Sequence, residues 1–212
     1  MATFRHLPTG KRFFFAHIPR TAGRFIETNL LVKNDFTWDD DWVKFGIQKM
    51  YEVPDGIGIE LGHFHRELYE KHLEVEGIPH ISVIRNPIDK FFSASTYLFT
   101  VYGKEIQQKL EDYDEFVSII ENFPQVETLN WWRPQVEFIT DKTHLWEFED
   151  GLGADFGDWM SEKLQVPFKI DENARYPMNR YEGLKLERTP GIVKNIKKFY
   201  SEDIDSLYPM LL

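Results

Sequence analysis

Lys11-Arg12-Phe13-Phe14-Phe15-Ala16-His17-Ile18-Pro19-Arg20-Thr21-Ala22-Gly23-Arg24 decides how the rest of the chain is read. A charged lead-in runs into a short apolar, aromatic stretch that ends at Ile18, the pattern of a buried strand. Pro19 ends that strand, Thr21-Ala22-Gly23 makes a tight turn, and Phe25, Ile26, Leu30 and Leu31 recur at helical spacing. A helix start carries unpaired backbone N–H groups and a partial positive charge. Small residues at 22 and 23 let a phosphate-sized group approach that backbone, and Arg20 and Thr21 add a charge and a hydroxyl. The ATP-type loop G-x-x-x-x-G-K-[ST] is absent. Taken alone, the segment also reads as an ordinary strand-to-helix turn with a surface arginine.

A second segment repeats the logic. Ile81-Ser82-Val83-Ile84-Arg85-Asn86-Pro87-Ile88-Asp89-Lys90-Phe91-Phe92-Ser93 runs from a buried strand into a helix that Pro87 helps to start. Arg85 falls at the strand end, where its planar fork suits bidentate phosphate binding. Lys90 and Ser93 are three residues apart and share a helix face. The plainer alternative is an arginine satisfying loop carbonyls and a serine on a surface helix.

Outward from these two units, Ile57 to His63 is a possible strand and Arg66 to Glu76 a helix stopped by Gly77. The spacing predicts helix over 104–122, a strand over Thr143–Phe148, and helices near 153–165, 190–200 and 202–208. Residues 34–55 are acidic and Trp-rich without a clear period. Strands interleaved with helices predict an α/β fold with a central parallel sheet, in one domain spanning 1–212. The 212 residues suit that size, and no repeat or Gly/Ser linker divides them.

The formal charge of −10 is uneven. Residues 1–33 are +5, 34–168 are −16, 169–198 are +4 and 199–212 are −3. Two basic segments thus flank an acidic body, and either they converge on one anionic ligand or the clustering is chance on solvated faces. The acidic total argues against nucleic acid as a partner and mildly against heavily sulfated polymers. With no cysteine, disulfides, thiolate metal sites and a cysteine nucleophile are excluded. No apolar run reaches the ~18 residues of a membrane span and no signal-peptide core precedes the domain, so the expectation is a soluble cytoplasmic protein without a membrane anchor.

The two motifs, in this order and spacing, resemble those of the sulfotransferase family. In that family a loop of the type H-I-P-[KR]-T-A-G-T grips the 5′ end of 3′-phosphoadenosine 5′-phosphosulfate, and a later R-x-P-x-x-[RK]-x-x-S holds the 3′-phosphate. Trp146-Glu147-Phe148-Glu149-Asp150-Gly151-Leu152 is similar to the family's R-F-E-D-L turn, and Gly62-His63, 22 residues before Arg85, resembles the carbohydrate sulfotransferase branch. The resemblance implies a P-loop-like three-layer fold, with helices on both sides of the sheet. It implies cofactor contacts from Pro19, Arg20, Thr21, Ala22, Gly23, Arg24, Phe25, Arg85, Lys90 and Ser93, and it makes 3′,5′-bisphosphoadenosine the product. Arg24 stands where Thr or Ser is usual, Lys90 where Arg is frequent, and Glu147 where the family has Arg.

Sulfuryl transfer needs charge stabilisation at the leaving oxygen and a base for the acceptor proton. Arg20 and the helix start supply the first. His63 is the candidate base, because imidazole titrates near working pH and the resemblance puts the branch's base there. Glu60 and His65 are nearby substitutes. His63 and His65 also fall on one strand face, as metal ligands do, but a site would need a third ligand such as Glu60 or His80, and no metal is expected. Trp131-Trp132 reads as core packing or as a platform for adenine or a sugar. One of Arg175, Arg180, Lys185 and Arg188 closes over the 3′-phosphate if the family pattern holds. The acceptor is a hydroxyl-bearing carbohydrate or small molecule. The rival readings are a small nucleotide-dependent kinase and a non-catalytic nucleotide- or glycan-binding module.

Overall fold

A computed structural model describes residues 2–39, 50–52, 58–60, 63–98, 106–122, 130–174 and 186–211. Seven strands are described: β1 Ala2–His6, β2 Arg12–Phe15, β3 Phe36–Trp38, β4 Met50–Glu52, β5 Gly58–Glu60, β6 His80–Ile84 and β7 Thr143–Glu147. Five form one sheet in the order β3-β1-β2-β6-β7. β2, β6 and β7 run parallel, while β1 pairs antiparallel with both β2 and β3. The sheet is therefore mixed, which corrects the expected parallel sheet. The parallel half is the part the apolar runs foretold. The antiparallel half follows from Leu7-Pro8-Thr9-Gly10, a tight hairpin whose Gly10 takes φ 73° and whose N–H donates to the His6 carbonyl. Within the possible strand at 57–63, the described residues 58–60 form β5, which pairs with β4 in a separate two-stranded sheet.

Successive side chains of a strand point to opposite faces, and β2 uses this fully. Phe13 and Phe15, with Ile81 and Val83 of β6, face α1 (Gly23–Lys33) and α6 (Ala154–Leu164) through Ile26, Leu30, Phe156 and Met160. Phe14, Ala16 and Ile84 face the other way, toward Tyr69 of α2 (Arg66–His72), Phe138 and Tyr208. Helices thus flank the sheet, and the aromatic triplet is buried from both sides. A third apolar cluster lies beyond it. There α3 (Pro87–Leu98) meets α5 (Tyr113–Asn122) and α7 (Pro190–Phe199) through Phe91, Phe116, Trp132, Ile192 and Ile196. Short α4 (Ile106–Lys109) and α8 (Ser201–Leu207) complete the helices.

Two asparagines of the α1 region tie this helix to the chain after α6. Asn29 accepts the Asp171 N–H, while Asn34 accepts the Lys169 N–H and donates to the Lys169 carbonyl. Both side chains are buried, so these bonds substitute for strand pairing along 169–171. Among the described residues, no helix is long and apolar enough to cross a membrane.

Phe15 is fully buried between the sheet and the α1–α6 layer. Phe15→Ala is expected to lower folding stability by ~3–5 kcal/mol, read as a fall in the urea midpoint.

Candidate functional site

Parallel pairing brings the carboxyl ends of β2, β6 and β7 to one edge of the sheet. Three connections leave from there: 16–22, Arg85-Asn86, and the turn at Phe148–Asp150. In open α/β sheets this edge is where ligands bind.

The first connection is tightly shaped. Ala16 N–H donates to the Ile81 carbonyl, and buried Thr21 donates its hydroxyl to the Ile18 carbonyl at 2.8 Å. Arg20 and Ala22 take positive φ, 70° and 67°, while Thr21 between them and helical Gly23 do not. Alternation of this kind turns successive N–H groups toward one side and makes an anion-binding concavity. Packing calls for glycine at position 23. A Cβ there would stand 2.0 Å from His17 Nε2, because the imidazole lies against the first turn of α1. Pro19 is buried, Arg24 is exposed, and Phe25 packs half-buried against the core.

The two motifs meet. Arg20 Nε donates to Ser93 Oγ at 3.1 Å, and Arg85 Nη1 donates to the Arg20 carbonyl at 3.1 Å. The Arg85 guanidinium lies 4.6 Å from the centre of the Phe148 ring. Burial lowers its pKa, partly offset by Asp89 and Glu149 and reinforced by the Arg188 charge. Gln135 fixes the Arg85 backbone from both sides, accepting its N–H at 2.9 Å and donating to its carbonyl at 2.7 Å. Asp203 in turn accepts the N–H groups of Gln135 and Val136.

Of the late basic residues, Arg188 reaches this region. It pairs with Asp89 at 2.6 Å and lies 4.8 Å from the centre of the Phe92 ring. Arg175, Arg180 and Lys185 lie outside the described residues.

His63 is buried beside the first connection. Its ring meets that of His17 edge-on at 5.2 Å and that of Trp131 at 6.4 Å. Trp131 neighbours both His63 and Arg20, whose guanidinium is 5.3 Å from the indole centre. Asn130 donates to the His63 carbonyl at 2.9 Å. His17 Nδ1 lies 3.0 Å from Glu27 Oε1. Burial pushes the Glu27 carboxyl up, but the His17 charge and hydrogen bond outweigh it and hold the pKa below the ordinary carboxylate value.

His65 points elsewhere, to an open cleft of about 270 Å³ that Glu67, Arg133, Glu137 and Glu202 help to line. Burial and the Arg133 charge depress its pKa. Glu60 lies in β5, and among the described residues no three His, Asp or Glu side chains group as metal ligands.

Lys90 does not point to the junction of the two motifs. Its side chain is fully buried, and the ammonium donates to the carbonyls of Trp131 at 3.0 Å and Arg133 at 2.9 Å. Tyr200 donates to the Trp132 carbonyl, and Trp132 donates to Ser95. Lys90 therefore seats the 130–133 segment that presents Trp131. Asn130, Gln135 and Glu27 were not singled out from sequence. The left-handed φ of 54° at Asn130 is the kind of conformation asparagine tolerates, but its site at a Trp-Trp turn is the sole local hint.

Set against known proteins, the chain matches no family model, no curated protein and no solved structure.

Burial lowers the Lys90 ammonium from its ordinary 10.5 to about 8, against the opposing pull of Asp203 and Glu137. Between pH 8 and 10.5 the unfolded chain therefore binds more protons than the folded one, and this group's contribution to stability improves as the pH rises through that window. The neutral amine still has two N–H groups for its two carbonyls. Urea midpoints of wild type and Lys90→Met are expected to diverge in favour of wild type as the pH climbs through this range.

Proposed function

We propose that the protein is a sulfotransferase that moves a sulfuryl group from 3′-phosphoadenosine 5′-phosphosulfate to an acceptor hydroxyl, on a P-loop-like version of the α/β fold. The observation that carries this reading is the junction of the two motifs. Arg20 bonds Ser93, and Arg85 bonds Arg20, across 73 and 65 residues of chain. Two cations and a hydroxyl thus gather above a loop whose φ signs alternate, at the sheet edge suited to an anionic ligand.

3′-Phosphoadenosine 5′-phosphosulfate supplies the activated sulfuryl group. The backbone of Thr21 to Arg24, with Pro19 and Phe25 flanking it, receives the 5′ phosphosulfate. Arg20 offers positive charge where the leaving oxygen develops its own negative charge, the arrangement that usually contributes most to such a step. Arg85 and Ser93 hold the 3′-phosphate, with Arg188 the described late cation nearest to them. Lys90 acts beneath the site by supporting the 130–133 segment. His63, walled by His17 and Trp131, takes the acceptor proton. A carbohydrate or another small hydroxyl compound fits this acceptor chemistry.

Thermal shift with 3′,5′-bisphosphoadenosine, ADP and ATP tests the cofactor reading. The bisphosphate is expected to stabilise the protein most, without Mg²⁺, and Arg85→Ala is expected to abolish most of that shift. A Mg²⁺-dependent shift with ATP alone would instead favour a kinase. His63→Ala is expected to lower transfer of labelled sulfate by ~10²–10⁴-fold while leaving the bisphosphate shift in place. Binding without transfer across a panel of acceptors would point to a non-catalytic module.

A further inference from the structure

Glu27 is a half-buried carboxylate to which the proposed sulfuryl transfer assigns no role. It lies one turn into α1, next to His17 and not at the motif junction. Three observations make it more than a structural ion pair. The His17 ring is fixed in place: it stacks on Phe15 at 5.7 Å, bonds Glu27 through Nδ1, and lies against Gly23 where no other residue fits. The far side of the same ring meets His63 edge-on at 5.2 Å. The Glu27 carboxyl, held ionised by His17, also interacts electrostatically with His63. An ionised carboxylate accepts, so His17 Nδ1 carries the hydrogen of this bond.

We propose that Glu27, acting through His17, is the counter-charge that stabilises the imidazolium formed at His63. The proposal rests on the sulfuryl-transfer reading only for the source of the proton. In that step the sulfur–oxygen bond to the phosphate breaks with its electron pair on the phosphate. A new sulfur–oxygen bond forms to the acceptor, and the acceptor O–H proton passes to His63. A positive charge then appears in a buried site whose other neighbours include Arg20, which shares Trp131 with His63, and Arg133 beyond Asn130, itself paired with Glu137. Among the described groups facing His63 from the β2–α1 side, His17 and Glu27 are titratable; a protonated His17 is neutralised by its ion pair with Glu27, and a neutral His17 leaves the Glu27 charge uncompensated. Glu27 is a positioning residue: it touches neither substrate nor cofactor, and it works by favouring the protonated state of its neighbour's neighbour, much as a triad carboxylate favours an imidazolium.

Glu27→Gln keeps the shape and the hydrogen bond to His17 but removes the charge. The expected result is that His63, followed by NMR of the imidazole in the ligand-free protein, titrates at lower pH than in wild type. The acid limb of the turnover profile should move the same way, with the plateau falling by about tenfold. An unchanged His63 midpoint in a folded Glu27→Gln protein would overturn the proposal. If that variant does not fold, the reciprocal measurement decides. Coupling between sites is mutual, so His63→Gln must shift the titration of Glu27. An unshifted Glu27 sinks the proposal equally. Neither titration involves cofactor, so failure to bind 3′,5′-bisphosphoadenosine would count against the sulfotransferase reading and leave this inference standing.

Discussion

Phe14 pairs with His80 and Phe15 with Ile81, and the site depends on that short parallel register. Parallel pairing puts two strand ends side by side, so the connection that carries Arg20 and the one that carries Arg85 leave the sheet as neighbours. Antiparallel pairing would have sent them to opposite edges. Ser82 reinforces the register by donating to the Ala16 carbonyl at 2.7 Å, at the point where the first connection departs. The register also sets which faces the aromatic side chains fill. Phe13 and Phe15 join one layer of core and Phe14 the other, so a slip of one residue would exchange both sets.

Around that frame, buried polar side chains take the place of regular structure. The segment 130–138 has only one short turn of 3₁₀ helix, yet its backbone is bonded by Lys90, Tyr200 and Asp203, while the Gln135 side chain bonds the Arg85 backbone. Buried polar groups are costly unless paired, and here each pairing fixes a loop that bears on the site. Lys90 shows the balance most clearly. Its desolvation is unfavourable enough to lower its proton affinity, and its bonds to two carbonyls hold Trp131 beside both Arg20 and His63.

The parts of the fold legible in the sequence are those whose signal is local. β2, β6 and β7 are short apolar or alternating runs, and α1, α3, α6 and α7 follow the expected starts, Pro87 and Pro190 among them. β1 and β3 escaped because Arg5, His6 and Thr37 break their apolar pattern, and because three residues are too few to show a period. The same division holds at the site. Arg20, Gly23, Arg85 and Ser93 stood out because a small-residue turn after a strand has a known physical use. Gln135 did not, since its partners lie 50 and 68 residues away and any polar residue would read the same in one dimension. Lys90 was legible as a cation but not as a buried one, since its i, i+3 relation to Ser93 does not tell which neighbours fill the space above each.

The two left-handed residues of the first connection carry an implication for how a ligand is met. Arg20 and Ala22 hold a backbone shape that glycine would adopt freely, yet neither is glycine. A Gly-rich loop reaches such a shape as one of many and must be ordered each time a ligand arrives. Side chains at these positions narrow the options of the unfolded chain, and Thr21, Arg85 and the His17–Gly23 contact keep the folded one in a single arrangement. The conformational cost is met once, during folding, so a ligand that reached this connection would lose little of its binding energy to ordering it.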